Sequence, residues 1–292
     1  MVFLFAINPA SGGNKKTTWE EGIQRYFADL PHTVHQFYFD GKTDQALLQQ
    51  QIDQHKPDRV VAVGGDGTIK IVATALIGTT MLLGILPTGS ANGMALELGI
   101  PPEMEESLAL LVNGTPTATD VIQINEDDIC LHLSDIGLNA QLVKHYQDNN
   151  FRGKLGYLRS VFQVLQKRRL LRVSVTVGDE CIQRAALMVV LANARMYGTG
   201  AMINPDGSPF DGRFEVVIFR RFSFLSVLKL FWRYKAFDPK HVEIHPATSI
   251  HIETYRRAYF QIDGEYRGRI TDLKAAIKPG AVQILLPETL NG

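Results

Sequence analysis

Apolar and polar positions follow two different rhythms along this chain. Through residue 112, short strand-like runs at 3–7, 35–39, 59–63 and 81–86, most continuously apolar at 3–7 and 60–63, are separated by stretches read as helical at 17–30, 43–55, 69–77, 96–98 and 105–112. Strands buried on both faces read as uninterrupted apolar runs, and their alternation with helices predicts a parallel, doubly wound α/β sheet. From about residue 119 the rhythm shortens. Runs at 120–124, 129–134, 172–177, 181–191, 214–219, 249–253, 258–262 and 282–286 are strand-like and separated by turn residues, which predicts an antiparallel β-sandwich. The expected division is therefore an α/β domain over 1–118 and a β-sandwich domain over 119–292.

Two helical stretches interrupt the second domain. The stretch 153–169 carries Leu155, Leu158, Val161, Phe162 and Leu165 at helical spacing, and 222–237 carries Phe224, Leu225, Leu228, Phe231 and Trp232 among basic residues. Such stripes pack into a core or lie on an anionic bilayer surface, and both readings stay open.

Charge narrows the range of partners. Lys and Arg number 30, Asp and Glu number 30, and the formal net charge is zero, so no nucleic-acid partner is expected. Cys130 and Cys181 lack metal-ligand spacing, which suits reduced residues in a cytoplasmic protein, with one disulfide left as the alternative. The first apolar run stops at Asn8-Pro9, too short for a signal sequence. The run 71–86 is broken by Gly78-Thr79-Thr80 and Gly84, so no membrane span is expected.

The candidate chemistry lies where strands run into glycine. Val60-Val61-Ala62-Val63 leads directly into Gly64-Gly65-Asp66-Gly67-Thr68, and a helix follows. Glycines let a backbone approach a phosphate closely, and a helix amino terminus offers it unpaired N–H groups. Asp66 is a carboxylate in an anion site, a combination that a bridging Mg²⁺ makes tolerable. A second turn, Pro87-Thr88-Gly89-Ser90-Ala91-Asn92-Gly93, ends the next strand, and Asn8-Pro9-Ala10-Ser11-Gly12-Gly13 ends the first. None is a Walker loop or a dinucleotide fingerprint, and each taken alone is equally an ordinary strand-helix turn.

Taken in order, these motifs resemble the diacylglycerol kinase catalytic-domain family, which includes bacterial lipid kinases and sphingosine kinases and is distantly similar to NAD kinases. Ser134 with Gly137, Asn193-Ala194-Arg195, Tyr197-Gly198-Thr199-Gly200, Pro205, Asp211-Gly212 and Asp263-Gly264-Glu265 continue the match. The resemblance implies an ATP- and Mg²⁺-dependent kinase acting on a lipid hydroxyl of diacylglycerol, phosphatidylglycerol or sphingoid type. It implies a nucleotide site formed by Asn8, Ser11, Gly12, Thr43, Gly64, Gly65, Asp66, Gly67, Thr68, Ile69, Lys70, Ser90 and Asn92, with Asp66 acting on Mg²⁺. It further implies a structural Mg²⁺ held by Asp211 and the carbonyls of Ser208 and Arg213, and Glu265 as the general base.

At both of the last two positions a plain hairpin turn is the alternative. Two residues depart from the family pattern: Gly93 stands where an Asp is usual and Lys70 where an Asn is usual, with Asp120 a candidate for the missing acid. The implied setting is cytoplasmic, with the lipid met at the inner face of a membrane and a homodimer left open. An NAD kinase-like enzyme and a nucleotide-binding regulator with weakened catalysis are the competing readings.

Overall fold

Four short strands whose residues are almost all apolar build the first unit. In the computed structural model, which describes residues 1–11, 16–148, 170–196, 202–205, 207–221 and 240–288, these strands are β1 (Val2–Ile7), β2 (Thr33–Tyr38), β3 (Arg59–Gly64) and β4 (Leu82–Pro87). They pair in parallel in the order β4-β3-β1-β2. Helices α1 (Lys16–Phe27), α2 (Asp44–His55), α3 (Asp66–Leu76), α4 (Gly93–Glu97) and α5 (Met104–Asn113) connect them.

Side chains alternate across the sheet, so one face presents Phe3, Phe5, Ile7, Val61, Val63 and Leu86 to Ile23 and Phe27 of α1 and to Leu108 and Leu111 of α5. The opposite face takes α2 and α3. The connection through α1 puts β2 on one side of β1, and the connection through α2 puts β3 on the other. The chain therefore reverses its winding between β1 and β3, and in open α/β sheets the carboxyl ends of such a strand pair are where ligands bind.

The second unit is all but wholly β. It comprises β5 (Thr115–Ile124), β6 (Asp128–Cys130), β7 (Leu133–Gly137), β8 (Leu171–Val177), β9 (Glu180–Ala186), β10 (Met188–Ala192), β11 (Phe214–Phe219), β12 (Val242–Ala247), β13 (Ser249–Ile262) and β14 (Glu265–Leu286), with α6 (Leu138–Asp148) after β7. One run of antiparallel neighbours is β12-β11-β10-β7-β13. The other passes from β9 through β8 to the first half of β13 and on to β14. Strand β13 serves both because its register shifts between Glu253 and Ala258, which bends it from one layer into the next. Val175, Ile182, Val189, Leu191, Val216, Ile218, Ile252, Phe260 and Leu273 meet in the core between the layers.

The chain divides into Met1–Thr119 with Gly280–Gly292, and Asp120–Pro279. Strand β5 thus begins in the first unit and strand β14 ends there, where Gln283 and Ile284 pair in parallel with Leu82 and Leu83 of β4. An assignment of 119–292 wholly to the sandwich misses that return. Further local expectations change. Helix α3 begins at Asp66 rather than Ile69, the run 129–134 divides between β6 and β7, the run 181–191 breaks at Leu187 into two strands, and 249–253 and 258–262 are one strand. Strand β12, helix α6 and the first part of β14 have no counterpart in the expected elements. The expected helices 153–169 and 222–237, the tract 197–200 and Gly12 lie outside the described residues. Among the described residues no helix is long and apolar enough to cross a membrane.

Candidate active site

Loops from the carboxyl ends of β1, β3 and β4 are tied to one another by named contacts. Asn8 extends β1 by donating its backbone N–H to Val63 O (3.0 Å), and its side-chain amide donates to Thr68 Oγ1 (3.2 Å). That side chain spans the β1/β3 reversal point. Asn8 Oδ1 meanwhile accepts the Ala10 N–H (2.9 Å), which shapes the loop as an Asx turn. Ser11 Oγ lies 3.0 Å from Thr88 Oγ1, and the Thr88 N–H reaches Gly64 O (3.1 Å), so the loops after β1, β3 and β4 are joined in one network.

The glycines are required by space rather than by φ. A Cβ on Gly64 would collide with the Thr68 side chain that covers it, and a Cβ on Gly89 would sit 2.6 Å from Gly65 Cα and 2.6 Å from Asn92 Oδ1. Only bare backbone allows the turns after β3 and β4 to approach so closely. Asn92 holds the second turn in a left-handed conformation (φ 53°) by donating to Pro87 O (3.2 Å) and Gly89 O (2.9 Å), while its Oδ1 is buried without a hydrogen-bond partner among the described residues. Ser90 is exposed beside it.

Asp66 occupies the first position of α3, where a carboxylate complements the helix dipole. Its Oδ2 accepts the Gly93 N–H (3.0 Å) and its Oδ1 the Met94 N–H (2.9 Å), so the acid clamps the start of α4. The amide at position 93 does not depend on the side chain, so the Gly93 departure removes a second carboxylate from beside Asp66 without changing this hydrogen bond. Gly65, Gly67 and Ile69 complete this turn, with Thr68, Ile69 and Lys70 all buried. Of the first-turn amides of α3, those of Thr68 and Ile69 donate to Gly65 O (3.0 and 3.1 Å), and those of Asp66 and Gly67 are the ones that helix geometry leaves toward an anion.

Thr43 stands after β2, away from the Asn8 and Thr68 contacts in sequence but at the same end of the sheet. Asp40 organises this loop by accepting from the N–H groups of Thr43 (2.9 Å) and Lys42 (2.7 Å) and from Thr43 Oγ1 (3.0 Å). The Thr43 amide first, then the Lys42 amide, hold the Asp40 carboxyl down at about 2. Asp40 and Thr88 are both missed by motif reading. The signals available were the Asp40/Asp44 spacing ahead of a helix and a hydroxyl inside an already chosen turn.

In the second unit, Asp263 (φ 50°) and Gly264 (φ 83°) form the two-residue turn between β13 and β14, with Ile262 paired to Glu265. Asp263 is more than a turn residue. Its carboxylate accepts from Leu131 N (3.1 Å), His132 N (2.9 Å) and Cys130 Sγ (3.3 Å). Gly264 donates its N–H to Gln261 Oε1 (2.7 Å), and the Gln261 amide donates in turn to the buried Asp135 (2.5 Å). Glu265 itself is half exposed and ion-paired with Arg267 (3.0 Å).

Asp211 is likewise engaged. Arg213 donates to it from Nε (3.0 Å) and from its backbone N–H (3.2 Å), so a guanidinium sits where a cation held by Asp211, Ser208 and Arg213 was expected. Asp120 accepts the Gly212 N–H (2.7 Å), a structural use within the second unit.

Known proteins resemble this chain in domain order and fold. The family described as "Diacylglycerol kinase catalytic domain" matches residues 2–124, and that described as "YegS C-terminal NAD kinase beta sandwich-like domain" matches residues 134–286. The "Probable lipid kinase YegS-like" of Enterobacter sp. (strain 638) is 30% identical over 185 residues, 61% of this chain and 62% of that one. The "Probable lipid kinase YegS" of Escherichia coli (strain K12 / DH10B) is 27% identical over 259 residues, 84% of each chain. A crystal structure of a diacylglycerol kinase from Bacillus anthracis str. Sterne superposes with a TM-score of 0.77 at 19% identity, covering 99% of this chain and 97% of that one, which shows a shared fold. With the first model matching residues 2–124 and the second just over half its length, the chain belongs to the family that carries the YegS C-terminal NAD kinase beta sandwich-like domain, here behind a match to the diacylglycerol kinase catalytic domain.

Proposed function

We propose that this chain uses ATP and Mg²⁺ to phosphorylate a hydroxyl of a lipid of diacylglycerol, phosphatidylglycerol or sphingoid type, met at a membrane surface. The observation that carries this reading is the joining of the turns after β1, β3 and β4 at the reversal point of the sheet. The residues suit a triphosphate. The bare backbone at Gly64 and Gly89 lets the turns after β3 and β4 close on one another with no side chain between them, and the buried, unpartnered Asn92 Oδ1 is an acceptor that suits a hydroxyl or amino donor of the nucleotide rather than its phosphate oxygens.

Asn8, Ser11, Thr43, Thr68 and Ser90 then offer side-chain hydrogen bonds. The amides of Gly65 and Gly67 offer backbone ones, the Ile69 amide being already given to Gly65 O (3.1 Å), and Lys70 brings positive charge close to the start of α3. Mg²⁺ beside Asp66 would supply neutralisation of phosphate charge. Asp66 retains lone pairs for that role while its carboxylate stays fixed by Gly93 and Met94. A second cation at Asp211, with the carbonyls of Ser208 and Arg213, needs the Arg213 guanidinium to leave the carboxylate first.

Glu265 is assigned as the base that takes the proton of the lipid hydroxyl, an effect worth roughly 10²- to 10⁴-fold in this kind of chemistry. Arg267 holds Oε2, and Oε1 is the accepting oxygen. The Asp263-Gly264 turn, pinned at both of its residues, fixes the strand end that carries this side chain.

The test is transfer of labelled γ-phosphate to vesicles of diacylglycerol, phosphatidylglycerol or sphingoid base, with NAD⁺ as a separate acceptor. Label in a lipid supports the proposal and names the acceptor. Label in NAD⁺ alone, or ATP binding without transfer to any acceptor, contradicts it.

A further inference from the structure

The outward face of the sandwich gathers a set of ligating atoms that the kinase reading does not use. Along β13 and β14, Ile250, Ile252, Leu273 and Ala275 point into the core, so His251, Glu253, Asp272 and Lys274 point outward. Register sets Glu253 directly opposite Asp272 and His251 opposite Lys274. His251 Nε2 lies 2.5 Å from Asp272 Oδ2, and one ligand atom from each of His251, Glu253 and Asp272 lies within 4.8 Å of the others. Among the described residues no other trio of His, Cys, Asp and Glu comes so close.

Like charges on directly opposed residues of neighbouring strands destabilise a sheet. His251 answers one of the two carboxylates, while Glu253 has no hydrogen bond or ion pair among the described residues. A bound cation would resolve that opposition. One imidazole nitrogen with two carboxylates suits zinc and its first-row neighbours, whereas Mg²⁺ and Ca²⁺ prefer oxygen alone.

We propose that His251, Glu253 and Asp272 bind a divalent ion of the zinc class, with water completing its coordination, and that the ion clamps β13 to β14 just before the bend in β13. Ligand bonds of about 2.0–2.2 Å place tetrahedral ligand atoms roughly 3.3 Å from one another, so His251 Nε2 and Asp272 Oδ2 part from 2.5 Å and exchange their hydrogen bond for the ion while Glu253 draws in, movements that side-chain torsions on an open sheet face permit. Lys274, across from His251, is the one cation in register with the cluster and opposes binding.

The experiment is titration of the metal-stripped chain with Zn²⁺, and with Co²⁺ followed by visible absorption, without nucleotide or Mg²⁺. The wild type is expected to take up a saturable equivalent and to gain thermal stability with Zn²⁺. His251→Gln and Asp272→Asn should each weaken that equivalent by at least the roughly 10- to 100-fold that loss of even an outer partner of a metal ligand costs. Lys274→Gln should tighten it, and phosphate transfer in Mg²⁺ by His251→Gln should equal that of the wild type. Absence of saturable uptake by the wild type, or uptake undiminished in both His251→Gln and Asp272→Asn, overturns the site and leaves the kinase reading untouched.

Discussion

At the scale of single residues, the nucleotide turns depend on atoms that are missing as much as on those present. Gly89 faces Gly65 so closely that a methyl group has nowhere to go. Gly89→Ala should cost about 1–3 kcal/mol of stability as an overpacking change. It should also raise the Kd for ATP about tenfold, equivalent to about 1.4 kcal/mol, by parting the two turns. Urea unfolding and calorimetric titration with a non-hydrolysable ATP analogue check the two effects separately.

Asp40 gives a prediction in pH. Its carboxyl is held at about 2 by the Thr43 and Lys42 amides, below the roughly 3.9 of an unfolded chain. Its contribution is therefore complete above the unfolded value and is lost as pH falls toward the folded one. The urea midpoints of the wild type and Asp40→Asn should differ at pH 5 and converge as pH falls from about 4 to about 2.

At the scale of elements, the hairpin turn of β13 and β14 is held by backbone amides far away in sequence, which the Asp263 carboxylate accepts. Removing the Asp263 carboxylate strands the amides of Leu131 and His132, and each amide left buried without a partner costs about 1–3 kcal/mol. Asp263→Ala should be the more damaging change and Asp263→Asn the milder, since asparagine keeps an acceptor and tolerates positive φ. Their order in urea midpoint is the check.

The same elements show what a sequence can and cannot display. The strand-glycine-helix junctions at 59–69 and 81–93 are legible because a continuous apolar run stops abruptly at glycine. Strand β14 is hidden because from 265 to 277 only Leu273 and Ala275 are buried, too few apolar markers to reveal an alternation. Strand β13 reads as two runs because Thr254-Tyr255-Arg256-Arg257 breaks the period where the register shifts. Strand β12 carries Pro246, which argues against a strand yet is tolerated here because, among the described residues, β12 pairs only with β11. At the site, Asp66 and Asn92 were visible as chemistry. Their partners at Gly93, Met94 and Gly89 are backbone groups, and these carry no side-chain signature.

At the scale of the whole molecule, the fold supplies two separately built parts: a sheet that gathers glycine turns at its reversal point, and a sandwich that fixes an acidic turn through Asp263, Gln261 and Asp135. The kinase reading asks each part for a different contribution, phosphate binding from the first and proton removal from the second. Those contributions separate by mutation. Asp66→Asn should abolish turnover, whereas Glu265→Gln should lower kcat by roughly 10²- to 10⁴-fold and leave ATP affinity nearly unchanged.

The most direct test is transfer of labelled γ-phosphate from ATP to lipid vesicles in Mg²⁺, run side by side on the wild type, Asp66→Asn and Glu265→Gln with ATP binding measured on the same samples. Labelled lipid from the wild type, none from Asp66→Asn, and a slowed rate at wild-type ATP affinity from Glu265→Gln is the predicted result. A wild type that binds ATP but labels no lipid, or a Glu265→Gln variant that matches it in rate, would contradict the account.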